Sequence, residues 1–385
     1  MRKPIGEQVV VVTGASSGIG RETARRFAQR GARVVLTARN EEALRSLENE
    51  ITREGGRAVA IPADVADWGQ VQQVAQRAVD TFGRIDTWVN NAAVNVYGMF
   101  RQMPVEEFRR VMDVNLMGQV HGAKAALPYL QREGGTLIGV GASHSEFPMP
   151  LQSAYTSSAW GLKGFYDTLR IEQEHERTGV QVSFVMPWST DTPFFEHTKT
   201  YLGVKPGPLP PVYEPSAVAD AILYAAHRPV RDLNVGPGAV LALAEEVWPR
   251  AADGYIKRIA FTQQLSYQPK APDAPSNLWQ PMGGPGAVGG GYRSVPVEPF
   301  SWVQTHPRAR NAIAGVAVSS FVLPAIGLAL AAASVPLVAL LIRRGGVAAA
   351  VSPFASRVFG QGRLGRLMSN LPLRSGLQRQ LAKGR

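Results

Sequence analysis

Seven short runs rich in valine and isoleucine recur between residues 8 and 236. They cover 8–13, 33–38, 57–61, 85–90, 136–141, 180–186 and 232–236. Charge seldom interrupts them, as in strands buried on both faces of a parallel sheet. Between them lie amphipathic stretches such as 19–30, 41–54 and 68–82. A parallel crossover needs a helix, so this alternation predicts an α/β chain wound on both faces of one parallel sheet.

A chain of 385 residues, 45% hydrophobic and 18% charged, can bury a full core. It has no cysteine, which excludes disulfides, thiolate chemistry, iron–sulfur clusters and cysteine-based zinc sites. His121, His144, His175, His197, His227 and His306 show no ligand spacing, and no metal site is expected. The net charge of +11 is local: residues 343–385 hold eight Arg, one Lys and no acid, leaving 32 basic against 30 acidic groups elsewhere. A basic tail beside an apolar segment suits anionic lipid better than nucleic acid, so nucleic acid is not an expected partner.

The expected organisation is an α/β domain at 1–240, a helical extension at 241–267 and a linker at 268–308. An apolar segment at 309–342 and a basic tail at 343–385 follow. The opening MRKPIGEQ lacks the apolar stretch of a signal peptide. The extension is expected to be helical over 241–264. The linker holds eight Pro and six Gly within 268–307, too many to continue a helix or bury much. Leu278 and Trp279 within it are candidates to dock on the domain. Residues 311–342 carry no charge, and the 18 residues from 325 would span about 27 Å as a helix, close to a bilayer core. A membrane-inserted helix is expected; the other reading is a buried core helix. A single span would place the basic tail outside, against the positive-inside tendency, whereas a re-entrant or interfacial segment would not. The protein is expected at a membrane, its α/β domain cytoplasmic, with lipid met through 309–342 and the tail.

Residues 13–20 read Thr13-Gly14-Ala15-Ser16-Ser17-Gly18-Ile19-Gly20, between the first strand and the first helix. Glycines permit a tight turn and close backbone approach. The helix N-terminus offers N–H groups and partial positive charge to a pyrophosphate. The fold class is therefore a Rossmann-type doubly wound sheet.

With these residues the chain resembles the short-chain dehydrogenase/reductase family, whose TGxxxGxG motif the string matches. Asp64-Val65, Asn90-Asn91-Ala92, Asn115, Tyr155 in Ser153-Ala154-Tyr155, and Pro187 with Thr192 follow in family order across about residues 8–240. The resemblance implies that Gly14, Ser16, Ser17, Gly18, Ile19 and Gly20 hold the pyrophosphate side of a nicotinamide cofactor. It implies that Asp64 and Val65 flank the adenine, that Asn90 lines the ribose side, that Asn91 and Pro187 belong to the cofactor site, and that Thr192 contacts the carboxamide. The second run ends Ala38-Arg39, where NAD sites usually place an acid. Arg39 can pair with a 2′-phosphate, so NADP(H) is expected over NAD(H); the alternative is a solvated surface arginine.

The family's chemistry uses Asn, Ser, Tyr and Lys. Tyr155 and Asn115 are present. Ala159 stands four residues after Tyr155, where the Lys is expected, and Ala142 stands at the Ser position. Ser143, one residue on, is the candidate replacement if the strand end absorbs the shift. Lys163 is about 12 Å along the helix from Tyr155, too far to assist. Tyr201 and Lys205 repeat the YxxxK spacing in a Gly/Pro-rich loop and are taken as coincidence. His144 is an alternative acid or base. Phe194, Phe195, Tyr201, Leu202, Val212 and Tyr213 lie among prolines and suit an apolar substrate lid or packing on the sheet edge. Two readings stand: an NADP(H)-dependent oxidoreductase interconverting carbonyl and alcohol on a small apolar substrate, or a non-catalytic NADP-binding membrane protein. Kinship also implies a homo-oligomer, paired through the helices of Asn115 and Tyr155.

Overall fold

Four consecutive valines, Val9–Val12, open the chain's first strand, and none has any solvent exposure. In this computed structural model the described residues are 3–296 and 305. The strands are β1 Val9–Thr13, β2 Arg33–Thr37, β3 Arg57–Ala60, β4 Thr87–Asn90, β5 Val96–Tyr97, β6 Thr136–Val140, β7 Gln181–Pro187, β8 Lys199–Thr200, β9 Val204–Pro206, β10 Asp232–Val235 and β11 Leu265–Pro269. The helices are α1 Gly18–Gln29, α2 Glu41–Arg53, α3 Trp68–Phe82, α4 Val105–Met112, α5 Gly118–Glu133, α6 Ser153–His175, α7 Phe194–His197, α8 Pro215–His227, α9 Gly238–Val247 and α10 Pro249–Gln263.

Seven strands form one parallel sheet in the order β10-β7-β6-β4-β1-β2-β3. Side chains alternate faces along a strand. Val11 and Val35 therefore join a core with α3, α5 and α6, while Val10, Val12, Val34 and Leu36 join a core with α1, α2 and α8. Both faces are covered, which is why these strands read as unbroken apolar runs. Local chemistry sets the helix starts. Asn40 accepts from Ala43 N at 3.0 Å before α2, and Asp67 accepts from Gln70 N at 3.0 Å before α3. The strand order reverses at β1, between β2 and β4, and this switch point places a crevice beyond the strands' carboxyl ends.

The extension is two helices rather than one. Pro249 opens α10 and forces the preceding Trp248 out of helical conformation, at φ −136 and ψ 64. Ile256, Ile259 and Ala260 of α10 pack with Phe147, Met149, Trp188, Leu209 and Tyr213 in a third apolar cluster. β11 pairs antiparallel with β9.

The segment expected as a linker is also packed over its described part. Leu278 is fully buried, and the backbone over 277–292 is bonded to the domain. Pro and Gly density forbids helix but not docking through backbone carbonyls. The apolar segment 309–342 and basic tail 343–385 lie outside the described residues. Among the described residues no helix is long and apolar enough to cross a membrane.

Candidate active site

The turn after β1 is shaped by its glycines. Gly14 and Gly18 have φ of 68 and 54, the left-handed region that disfavours a side chain. A Cβ on Gly14 would stand 2.8 Å from Ala92 Cα, and one on Gly20 would overlap the Gly14 carbonyl oxygen. Gly20 thus serves the close packing of α1 and does not line the cavity, whereas Gly14, Ser16, Ser17, Gly18 and Ile19 do.

Asn91 braces this turn. Its Nδ2 donates to Thr13 O at 3.0 Å, and its backbone N donates to Thr13 Oγ1 at 2.9 Å. Asn90 does not line the ribose side as expected. It is buried, donates to Gln119 O and Tyr166 Oη, and accepts from Trp88 Nε1. Adjacent strand residues face opposite ways, so only one of the pair can reach the crevice.

At the far end of the cavity, Arg39 lies beside Ala38, Asn40 and Asp64. It is not a freely solvated arginine: its guanidinium donates to the Asn277, Leu278 and Trp279 carbonyls. Arg110, from α4, donates to Asp64 Oδ2 at 2.6 Å. Val65 lines the cavity, and its carbonyl is 2.9 Å from His121 Nδ1. Pro187 and Thr192 line the opposite end. The cavity holds about 550 Å³, within the usual range for ligand sites. Its hydroxyls, its helix N-terminus and a guanidinium at one end fit a phosphorylated dinucleotide.

Tyr155 lines the same cavity from α6, as do Ala142, Ser143 and His144. Burial pushes the Tyr155 phenol up to about 12. Its ring meets His144 and Phe194 edge-on, each at 5.9 Å between centroids. His144 is pushed down to about 4 by burial, and its Nδ1 has no hydrogen-bond partner. The imidazole is therefore neutral at ordinary pH. Ala159 is buried one turn beyond Tyr155. Lys163 is paired with Asp167 at 2.5 Å and with Asp232 at 3.4 Å, and does not line the cavity. Lys205 pairs with Glu196, so it too serves elsewhere.

Asn115 sits where the helical path widens to a π turn, Asp113–Met117. Such turns recur at functional sites. Its side chain accepts from Val94 N at 2.9 Å and donates to Val94 O at 3.0 Å and Ser158 Oγ at 3.2 Å. It holds the segment after β4 against α6 and does not line the cavity.

The aromatic segment expected as lid or packing divides between the two. Phe194 and Phe195 line the cavity, while Leu209 and Tyr213 pack in the third cluster. Trp188, which follows Pro187, also lines the cavity and donates from Nε1 to Leu209 O at 3.1 Å. Sequence reasoning missed Tyr97 and Gln152, which line the cavity, and the wall formed by Asn277 and residues 281–287. No periodicity marks Tyr97 or Gln152. The only sign of the wall was an apolar pair, Leu278 and Trp279, set in a Pro/Gly-rich stretch.

The family profile described as short chain dehydrogenase matches residues 8–201. The chain belongs to this family. It is 40% identical over 281 residues to an uncharacterized oxidoreductase, YxnA, of Bacillus subtilis, covering 72% of this chain and 79% of the relative. It is 32% identical over 244 residues to dehydrogenase/reductase SDR family member 7B of Bos taurus, covering 60% and 74%. Among solved structures, a metagenomic short-chain oxidoreductase in complex with NADP is similar. Its TM-score is 0.50 at 31% identity, over 59% of this chain and 96% of that one. An alcohol dehydrogenase from the archaeon Thermococcus sibiricus, complexed with 5-hydroxy-NADP, gives a TM-score of 0.53 at 27% identity, over 59% and 95%. As a family member, the chain is of the oxidoreductase type that binds a nicotinamide cofactor in a Rossmann-like fold.

Proposed function

We propose that this short-chain dehydrogenase is an NADP(H)-dependent reductase of carbonyl groups on small apolar molecules, with a reduced acid–base apparatus. The observation that carries this reading is Tyr155, whose phenol lines one cavity with the glycine turn and an apolar wall of Phe194, Phe195 and Trp188. When bound, the cofactor supplies or accepts the hydride. Tyr155 donates its proton to the carbonyl oxygen. A phenol held protonated is competent for that step without an ammonium beside it. The aromatic wall excludes water and favours an apolar substrate. Ser143, which lines the same cavity as Tyr155, is the hydroxyl we assign to orient the oxygen, since Ala142 has none. Arg39 supports preference for the 2′-phosphate.

A second reading rests on Ala142 and Ala159: a chain that binds the nucleotide without turning it over. A panel of aldehydes and ketones with NADPH decides. Turnover that falls about 10²- to 10⁴-fold in Tyr155→Phe, with nucleotide binding kept, supports the reductase. Binding without turnover, followed by activity created in Ala142→Ser with Ala159→Lys, supports the second reading. Homo-oligomerisation through α6, where Trp160 and Ile171 are exposed, belongs to the proposal, as does membrane attachment through 309–342.

A further inference from the structure

The segment 277–292 crosses the whole length of the dinucleotide site. It begins where Asn277 N donates to His197 O at 2.8 Å. At the adenine end, Arg39 donates to three successive carbonyls, and Arg110 donates from Nε to Leu278 O at 3.1 Å. Arg110 also lies over the Trp279 ring, 5.7 Å from its centroid. Leu278 is fully buried in the same apolar core as Ala63 and Val65. Farther on, Asn40 Nδ2 donates to Met282 O at 2.6 Å and Gly284 O at 3.0 Å. Arg21 donates to Pro285 O, and Gly18 N donates to Ala287 O, both at 2.8 Å. At the other end Asp191 Oδ1 accepts from Gly290 N and Tyr292 N, at 2.8 and 2.9 Å.

Two glycines set how closely the segment lies. A Cβ on Gly286 would overlap the Ser16 carbonyl oxygen, and one on Gly290 would overlap the Thr192 carbonyl oxygen. Ser16 belongs to the glycine turn and Thr192 to the proposed carboxamide contact. The segment does not fill the site. The cavity of about 550 Å³ persists beneath it, lined by the glycine turn on one side and by residues 281–287 on the other. The segment's carbonyls occupy Gly18 N and Arg39, two donors of the proposed phosphate contacts, but residues 277–292 contain no acidic side chain to match a phosphate's charge. At Arg39 it offers neutral carbonyls, which a 2′-phosphate outcompetes through charge-assisted bonds.

We propose that residues 277–292 form a clasp that closes over a bound nicotinamide dinucleotide, which enters and leaves only when the clasp lifts. The inference rests on the cofactor reading above. The outer wall of the site is then supplied by chain beyond the family-matched 8–201. The clasp's many single hydrogen bonds, with one buried leucine as anchor, suit a segment that opens as a unit without disturbing the sheet.

The test uses the full chain with NADPH as probe. Stopped-flow fluorescence reads release of NADPH into excess NADP⁺, and hydrogen exchange reads amides 284–292 with and without NADPH. In the parent chain, exchange over 284–292 should slow on binding. In Gly286→Val and Gly290→Val, which hold the clasp off, release should quicken at least tenfold. Exchange that is unchanged or faster on binding overturns the clasp, as does unaltered release in both variants, and faster exchange shows that the nucleotide displaces the segment. If the variants do not fold, the parent exchange alone decides. A parent chain that binds neither NADPH nor NADH defeats the cofactor reading and the clasp together; binding without protection defeats the clasp alone.

Discussion

A phenol pushed up to about 12 by burial, with no lysine among the described residues of its cavity, would divide the two directions of the proposed reaction. Reduction consumes the protonated phenol, which dominates at every pH well below 12. Its rate should therefore be flat from about pH 6 to 9. Oxidation needs the phenolate, about 10⁻⁵ of the population at pH 7, and should rise about tenfold per pH unit. Initial rates in both directions across that range check this. An oxidation rate that levels off near pH 7 would mean another group takes the proton. Ala159→Lys would place an ammonium one helical turn from Tyr155 and should move the oxidation profile to lower pH. His144 gives no competing step near neutrality, because its burial-lowered value of about 4 keeps it neutral there. The proposed preference for NADPH rests on Arg39: Arg39→Ala should weaken NADPH more than NADH in fluorescence titrations, because only NADPH offers a 2′-phosphate to pair with the guanidinium. Equal affinities in the parent chain would remove that preference.

At the scale of elements, two helical glycines should respond to alanine with opposite signs. Gly122 in α5 faces β4, where a Cβ would overlap Asn90 Oδ1 and stand 2.8 Å from Trp88 Nε1. Gly122→Ala should cost about 1–3 kcal/mol by overpacking, seen as a Tm lower by several degrees. Gly164 in α6 is exposed, with nothing within 4 Å of a Cβ. Gly164→Ala should stabilise by about 0.5–1 kcal/mol, because it removes backbone freedom from the unfolded chain. Thermal unfolding of the two variants should move in opposite directions. The elements themselves were largely legible. Strands buried on both faces leave apolar runs, and α2 and α3 announce their starts through Asn40 and Asp67. What was not legible depends on direction rather than residue type. Asn90 and Asn91 are the same residue side by side, and only the pleat decides which one reaches the crevice. The break at Trp248 had a local signal in Pro249. The docking of 277–292 had almost none, since Pro and Gly forbid helix but do not say where a segment's carbonyls will find donors.

Across the whole molecule, charge and hydropathy are segregated along the chain. Residues 343–385 carry nine basic groups and no acid, and 311–342 carry no charge at all, while the remaining chain is close to neutral. An apolar stretch and a basic stretch in series act on a bilayer in different ways: area burial is insensitive to salt, and attraction to anionic lipid falls with it. Sedimentation with vesicles separates the two. The full chain should pellet with anionic vesicles, and the chain lacking 308–385 should stay in the supernatant while retaining nucleotide binding, because the clasp and its donors lie within 18–292. If the apolar stretch inserts, raising the salt should leave most of the full chain bound, and neutral vesicles should still take it up. If the tail alone holds the protein, salt should release it and neutral vesicles should not bind it. A truncated chain that still pellets would place the lipid contact within the described residues, where Val240, Leu243, Val247 and Trp248 expose one apolar face of α9 and its end, and would refute attachment through 309–342.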